Sequence, residues 1–407
     1  MFGFVTAPFD LNLRHLRAVS AIAARGSMSA AAEAVSLSQP ALTQGLAKLE
    51  RSLGATLFER HADGMRATPQ GVLAAQRAEA AFGHLARSVR GAAHGGARGF
   101  ARPELLMTAT QLRAFLAVAD AGSFAAAAEA TALSQPAIHR AVRDLEQLCA
   151  ASLVERRGRG VILSPTGIRL ARGVRLARVE LVALIAETGA EAAGSGMLVI
   201  GAMPLCRALI LPAAIAQFTR AMPRMKIDVV EGSWRELVDP LRDGILDVMV
   251  GALRETAPPE CDQSPLFVDR LNIVARAGHP LAGTAIPSLD QLASYPWIVG
   301  QPGTPLRLQW EALFAERTLP HAPVECGSVM VIRGVLADTD FLTLLSPDQV
   351  ALEVDRELLA TIGGRLERSI RTIGITTRTS WRPTVAQAYF LDLLRDVSRA
   401  AGLQENR

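Results

Sequence analysis

Two stretches of the chain place directional hydrogen-bonding side chains at regular spacing. Residues 37–50 read LSQPALTQGLAKLE, and residues 133–146 read LSQPAIHRAVRDLE. Helical spacing puts Leu42, Leu46, Leu49 and Leu53 on one face, as it does Ile138, Val142, Leu145 and Cys149. The opposite face then carries Gln39, Thr43, Gln44 and Lys48 in the first stretch, and Gln135, His139, Arg140 and Asp144 in the second. A Gln amide both donates and accepts, which suits the edge of adenine, and a Thr methyl suits thymine; Arg and His favour guanine-type acceptors. Pro40 and Pro136 fit the first turn of a helix, where an amide has no helical partner.

The remaining sequence offers no competing chemistry. Cys149, Cys206, Cys261 and Cys326 are far apart, with neither CxxC spacing nor nearby His pairs, which argues against a disulfide framework or a zinc site. Glycine-rich GxG stretches are isolated, and no Ser/His/Asp set is tied to a strand-turn-helix, so we expect no catalytic residue, no metal and no cofactor. The first ten residues, MFGFVTAPFD, lack the basic and apolar regions of a signal peptide, and no run of about 18 apolar residues occurs. A cytoplasmic protein without a membrane partner is expected. Charge is uneven: residues 1–190 hold 22 Lys/Arg against 14 Asp/Glu, and the remainder 21 against 25. A basic first half suits a polyanionic partner.

The two stretches belong to a longer repeat, which runs without a gap at an offset of 96 residues from about Leu16 to Gly71. Leu16-Arg17-Ala18 returns as Leu112-Arg113-Ala114, Ala31-Ala32-Glu33 as Ala127-Ala128-Glu129, and Pro69 with Gly71 as Pro165 with Gly167. Each copy predicts three short helices. The stripe of the first is Leu16, Val19 and Ala23, or Leu112, Phe115 and Ala119; Ser27 and Ser123 are candidate caps of the second. A basic, Gly-containing segment follows, FERHADGMRATPQG or VERRGRGVILSPTG, able to form a two-stranded wing. Residues 70–90 and 166–187 have the composition of long helices, and GAAHGGARG and GAEAAGSG read as linkers. From Met197 short apolar runs alternate with amphipathic ones, an α/β pattern predicting a largely parallel sheet and enough chain for two small lobes.

With these motifs in view, the sequence resembles the LysR-type transcriptional regulators. The Ala-rich helix, Ser-Gln-Pro-Ala and the following Leu-Glu are similar to that family's winged helix-turn-helix, and both copies match it. LRDGILDVMVGAL, PLFVDRLNIVARAGHPLAG and YPWIVGQPGTPLR are similar to its effector domain. The departure is that family members normally carry one DNA-binding domain per chain, and this chain has two. The resemblance implies a multidomain protein: two α-rich winged helix-turn-helix domains with linker helices, 10–90 and 108–190, followed by an α/β two-lobed periplasmic-binding-protein-like effector domain, 197–402. Its implied partners are double-stranded DNA and a small-molecule effector, an organic or sugar acid, with self-association through the effector domain. The alternative is a protein-interaction or solute-binding module with degenerate helix-turn-helix copies.

The resemblance assigns DNA contact to Ser38, Gln39, Pro40, Thr43, Gln44 and Lys48, with Arg60 and Arg66 in the first wing. In the second copy it assigns Ser134, Gln135, Pro136, His139 and Arg140, with Arg156, Arg157 and Arg159 in the wing, where phosphate contact is expected. Effector contacts fall at strand ends and helix starts between lobes: Met203, Pro204, Leu205, Gly251, Ala252, Gly303, Thr304 and Ser328. Arg207 or Arg307 could meet an acidic effector. In the family two chains pair through the long helix. Here the matching positions are Ala74, Ala78, Ala81, Leu85 and Ser88 in one copy, and Leu170, Val174, Ala177, Leu181 and Leu184 in the other. Small against large fills space better than like against like, so the copies are expected to pair within one chain.

Overall fold

The computed structural model describes residues 7–62, 64–90, 100–158, 160–189, 196–203, 210–283, 286–364, 366 and 369–400. Both Gly-rich linker stretches fall mostly outside them. The chain divides into two compact units, Met1–Gly196 with Asp243–Ile245, and Met197–Arg242 with Leu246–Arg407. No helix among the described residues is long and apolar enough to cross a membrane.

In the first unit one order of elements occurs twice. It runs α1 (Leu13–Arg25), α2 (Met28–Ala34), α3 (Gln39–Leu53), β1 (Phe58–His61), β2 (Gly64–Ala67) and α4 (Pro69–Val89). It then repeats as α5 (Ala109–Ala121), α6 (Phe124–Thr131), α7 (Gln135–Cys149), β3 (Val154–Arg157), β4 (Gly160–Leu163) and α8 (Pro165–Thr188). Polar caps start the helices: Ser27 and Ser123 accept from Ala30 and Ala126, Ser38 and Ser134 from Ala41 and Ala137, and Thr68 and Ser164 from Gly71 and Gly167. β1 pairs antiparallel with β2, and β3 with β4, as two short wings. Each long helix begins hard against the chain entering its wing: a Cβ on Gly71 would lie 1.9 Å from the Leu57 carbonyl oxygen, and on Gly167 2.0 Å from that of Leu153. Only glycine fits either place.

The predicted stripe of the first helices needs correction. Ala23 is exposed and Ala119 half-buried, and the stripe continues instead at Ile22 and Val118, because a β-branched side chain one residue earlier buries more apolar area than an alanine. Cys149 ends the apolar face of α7, and burial pushes its thiol up to about 11, as suits a core residue.

α4 packs on α8 within the one chain. All ten positions singled out for this seam, from Ala74 to Ser88 and from Leu170 to Leu184, are buried. The helices run antiparallel, since Arg77 meets Glu180 and Glu187 while Ser88 meets Gly173. Gly173 sets their approach: a Cβ there would lie 2.4 Å from the Ser88 Cβ and 3.0 Å from the His84 carbonyl oxygen. The segment before each first helix crosses to the other copy. The turn Pro8–Asp10 packs on α5 and α8, and the turn Pro103–Leu105 packs on α4, where the Leu105 carbonyl accepts from Arg17 Nη1 at 2.9 Å.

Sequence periodicity gave no sign of the ion cluster inside the seam. Arg77, 4% exposed, donates from Nη1 to Glu180 at 2.9 Å and from Nε and Nη2 to the two oxygens of Glu187 at 3.0 and 3.1 Å. His84 Nε2 lies 3.9 Å from Glu180. Burial alone would raise the Glu180 carboxyl, but His84 and Arg77 more than reverse this and hold it below its ordinary value of 4.5.

The second unit contains two five-stranded sheets. Its elements are β5 (Gly196–Ala202), α9 (Ile210–Ala221), β6 (Met225–Glu231), α10 (Trp234–Arg242), β7 (Val248–Ala252), β8 (Cys261–Arg270), β9 (Asn272–Arg276), α11 (Leu289–Ala293) and β10 (Trp297–Val299). They continue with α12 (Pro305–Leu313), β11 (Val324–Glu325), α13 (Val329–Ala337), β12 (Leu342–Leu345), α14 (Ala351–Asp355), β13 (Leu359–Ile362), β14 (Ile370–Arg378) and α15 (Val385–Ala400). One sheet has the order β6-β5-β7-β14-β8 around Phe218 and Phe390, the other β11-β10-β12-β9-β13 around Trp297, Trp310 and Phe314. The expected largely parallel sheet is corrected to two mixed ones. β5 and β7 are parallel, as are β11, β10 and β12, but β14 and β9 run against their neighbours. Both strands enter from the other lobe, β9 directly after β8 and β14 after β13, and so start at the end where their neighbours finish. At this crossing Asp269 pairs with Arg371 and accepts from Ser346 Oγ at 2.7 Å, and Leu271 N donates to Ser369 at 2.8 Å.

Two outcomes test the seam. Gly173→Ala should cost about 1–3 kcal/mol, read by thermal or denaturant unfolding, because the methyl meets backbone as well as Ser88. A lowered folded pKa at Glu180 gives stability that is present above its unfolded value and lost as pH falls through the folded one. The melting temperature should therefore drop on the acid side of 4.5, and Glu180→Gln should flatten that part of the pH profile.

Candidate functional site

α3 and α7 each bury one face and leave another to solvent. On α3 the buried residues include Leu42, Leu46, Leu49 and Leu53, while Ser38, Gln39, Pro40, Thr43, Gln44 and Lys48 are all exposed. Thr43 Oγ1 donates back to the Gln39 carbonyl at 2.9 Å, so its hydroxyl proton is used within the helix. On α7 Ser134, Gln135, Pro136 and Arg140 are exposed. His139 is not fully outward: it is half-buried, stacked on Phe124 of α6 with ring centroids 3.8 Å apart and planes at 16°. The stack fixes the imidazole plane. Asp144 also departs from the expected outward face, being half-buried and accepting from Gln111 at 3.4 Å.

Two features of the site were not singled out from sequence. Arg143 is exposed one turn beyond His139, in a position that Ala47 holds in the first copy. Comparing the copies for shared residues passes over it, and only their differences reveal it. The second is the role of the repeated Leu-Glu. Glu50 Oε1 accepts from the amides of Leu57 and Phe58 at 2.7 and 3.3 Å, and Glu146 Oε1 from those of Leu153 and Val154 at 2.9 and 3.4 Å. Each glutamate thus ties the end of its exposed helix to the first wing strand and fixes the angle between them.

In the wings Arg60, Arg66, Arg156 and Arg157 are exposed, and Arg159 lies outside the described residues. Arg66 sits across the ladder from Glu59, which offsets its charge, whereas Arg156 and Arg157 face Val161 and Gly160. The second wing is the more basic of the two.

The effector candidates separate. Pro204, Leu205, Cys206 and Arg207 lie outside the described residues. Met203 belongs to the core: it is 6% exposed, packs with Leu237, Leu241 and Met249, and lies under Gly251, where a Cβ would meet it at 2.4 Å. Gly251 and Ala252 end β7. Gly303 precedes Thr304, which caps α12 by accepting from Arg307 N and donates to the Gln301 carbonyl at 2.7 Å; Ser328 caps α13. β7 and β12 both end on the side where the lobes join, as the antiparallel registers with β14 and β9 require. Arg307 is engaged by Glu311 at 2.7 Å and Glu325 at 2.8 Å and lies over Trp310. Trp297 is fully buried, donating to the Leu292 carbonyl.

Comparison with known proteins places this geometry. Residues 191–399 match the LysR substrate binding domain, and residues 13–72 and 109–168 each match the bacterial regulatory helix-turn-helix protein of the lysR family. The chain is 31% identical over 392 residues to the HTH-type transcriptional regulator GalR of Pseudomonas putida, covering 95% of this chain and 97% of that one. The chain belongs to the LysR family of transcriptional regulators. As a LysR regulator it is a DNA-binding protein with a ligand-binding substrate domain. The HTH-type transcriptional regulator PcaQ of Agrobacterium fabrum is 28% identical over 293 residues, 70% of this chain and 94% of PcaQ. ArgP from Mycobacterium tuberculosis shares the fold with a TM-score of 0.58 at 20% identity, over 73% of this chain and 98% of ArgP. These two proteins are spanned almost whole, yet leave over a quarter of this chain unmatched. The GalR alignment spans nearly all of both chains, so that regulator has room for both helix-turn-helix matches.

Removing the Glu50 carboxylate, as Glu50→Ala, strands two wing amides and should cost about 1–3 kcal/mol in denaturant unfolding. Glu146→Ala should behave alike, because its geometry is the same. A loss below about 0.5 kcal/mol in both would show that water replaces the carboxylate and that the wing needs no such tie.

Proposed function

We propose that both winged helix-turn-helix copies contact duplex DNA and that one chain prefers an operator built from two different half-sites. The observation that carries this is the contrast between the exposed faces of α3 and α7, with Thr43, Gln44 and Lys48 on one and Arg140 and Arg143 on the other. Gln44 suits an adenine and Arg140 a guanine. Gln39, Gln135 and the helix starts at Ser38-Gln39-Pro40 and Ser134-Gln135-Pro136 lie where each helix would enter the major groove. Arg60, Arg66, Arg156, Arg157 and Arg159 would contact phosphates, and His139, held by Phe124, would reach the backbone or a base edge. Two unlike readers on one chain favour an asymmetric site over a palindrome.

The C-terminal domain, on this proposal, takes a small organic or sugar acid between its lobes and changes promoter binding in response. Support comes from Gly251, Ala252 and the starts of α12 and α13, where the first-turn amides that Thr304 and Ser328 do not engage suit an anion. Because Arg307 is already paired with two glutamates, the backbone rather than Arg307 would meet the acid. The protein is proposed to act in the cytoplasm, without catalytic activity, and to self-associate through its effector domain.

Arg140→Ala should cost about 1–3 kcal/mol on the preferred site and relax the base preference of one half-site, while Gln44→Ala does the same at the other. Site selection from random duplexes followed by titration at several salt concentrations checks both. Recovery of perfect inverted repeats would refute the asymmetric reading, and an equal loss on every sequence would make Arg140 a phosphate contact. For the effector, a panel of organic and sugar acids should raise the melting temperature by mass action. Thr304→Ala loses a helix cap, about 1 kcal/mol by itself, so the quantity to compare is the rise on adding ligand rather than the starting temperature.

A further inference from the structure

The seam charges are distributed unequally between the copies. At the offset of 96 residues, Arg77 of α4 corresponds to Gly173 of α8, and His84 corresponds to Glu180. The observed contact of residue 77 with residue 180 therefore predicts the contacts of two like helices in the same antiparallel arrangement. Two α4 helices would set Arg77 against His84, basic against basic. Two α8 helices would set Glu180 against Gly173, so the buried Glu180 carboxylate would lose the cation that Arg77 supplies. Glu79, the acidic residue of α4, is exposed and does not relieve the first case.

We infer that Arg77, Glu180 and Glu187 form a self-recognition lock, which admits only unlike copies to the seam and so makes each chain its own paired DNA-binding module. Removing one partner from a buried ion cluster is strongly destabilising, whereas replacing the whole cluster with apolar groups is often tolerated, so such clusters can select partners without adding net stability. Apolar packing points the same way but discriminates less. The small face of α4 would leave voids against itself and the large face of α8 would overpack, and both are faults that a helix pair can partly relax. Charge left unpaired in the seam has no such remedy. The tether adds to this by keeping the unlike partner at high local concentration.

The test uses the full chain and no DNA, so it stands apart from the operator reading. Arg77→Glu should lower the melting temperature by about 10 °C. Adding Glu180→Arg and Glu187→Arg to the same chain should restore most of that loss; failure to restore any of it would overturn the lock. The second measurement uses Ala81→Cys as a reporter. Ala81 and Ala177 are matched positions, both buried in the seam, so Ala81→Cys with Ala177→Cys should close a bond within one chain after refolding and mild oxidation. Ala81→Cys alone should give no linked dimer beyond the parent chain. In an Arg77→Leu, Glu180→Leu, Glu187→Leu background the single Ala81→Cys should link chain to chain at least tenfold more. Linked dimers with the charges intact, or none after their removal, would overturn the proposal.

Discussion

The α4/α8 seam is the constraint on which the arrangement of the first unit depends. Ala74, Ala78 and Ala81 provide a low surface that Leu170, Val174 and Leu181 can fill, and Gly173 lets the backbones come close at one end. Arg77 occupies the other end and binds two carboxylates. Everything that faces outward is referred to this pair: Gly71 and Gly167 dock the wings onto the long helices, and Glu50 and Glu146 dock α3 and α7 onto the wings. An error in the seam would be passed on through these contacts to both exposed helices.

Much of this was legible in the sequence because it is local and repeated. The 96-residue offset, the serine caps, the wing and the small-against-large faces of the long helices all follow from spacing and residue volume. The charges at the seam did not, and the reason is instructive. Comparing the copies draws the eye to what they share, yet Arg77 against Gly173 and His84 against Glu180 matter because they differ. Arg143 escaped for the same reason. Alternation in α1 and α5 was read one residue late because alanine satisfies the period as well as isoleucine or valine does; only volume separates them.

In the second unit local pattern located most of the strands, but it passed over β8 and did not give their directions. The direction of β9 and β14 is set by the crossing between lobes, where Asp269, Arg371 and Ser346 hold segments distant in sequence. No window of sequence contains that information. The effector candidates divide along the same line. Ser328 is recognisable as a helix start from sequence and Met203 as an apolar residue suited to a core, whereas the partners that bury Met203, namely Gly251, Leu237 and Met249, come from two other elements.

The crossed packing of Pro8–Asp10 on α8 and of Pro103–Leu105 on α4 bears on the order in which the protein is made. The first copy emerges from the ribosome without the helix it needs, and about 100 further residues must be added before α8 is complete, a wait of about 5–20 s. A leucine-rich face left bare for that time would invite aggregation. The alanine-rich face belongs to α4, the helix that waits, and the leucine-rich face to α8, which finds its partner already present. The direction of translation thus suits which copy carries the large side chains, and exchanging the two copies in the gene would expose the greasier helix first.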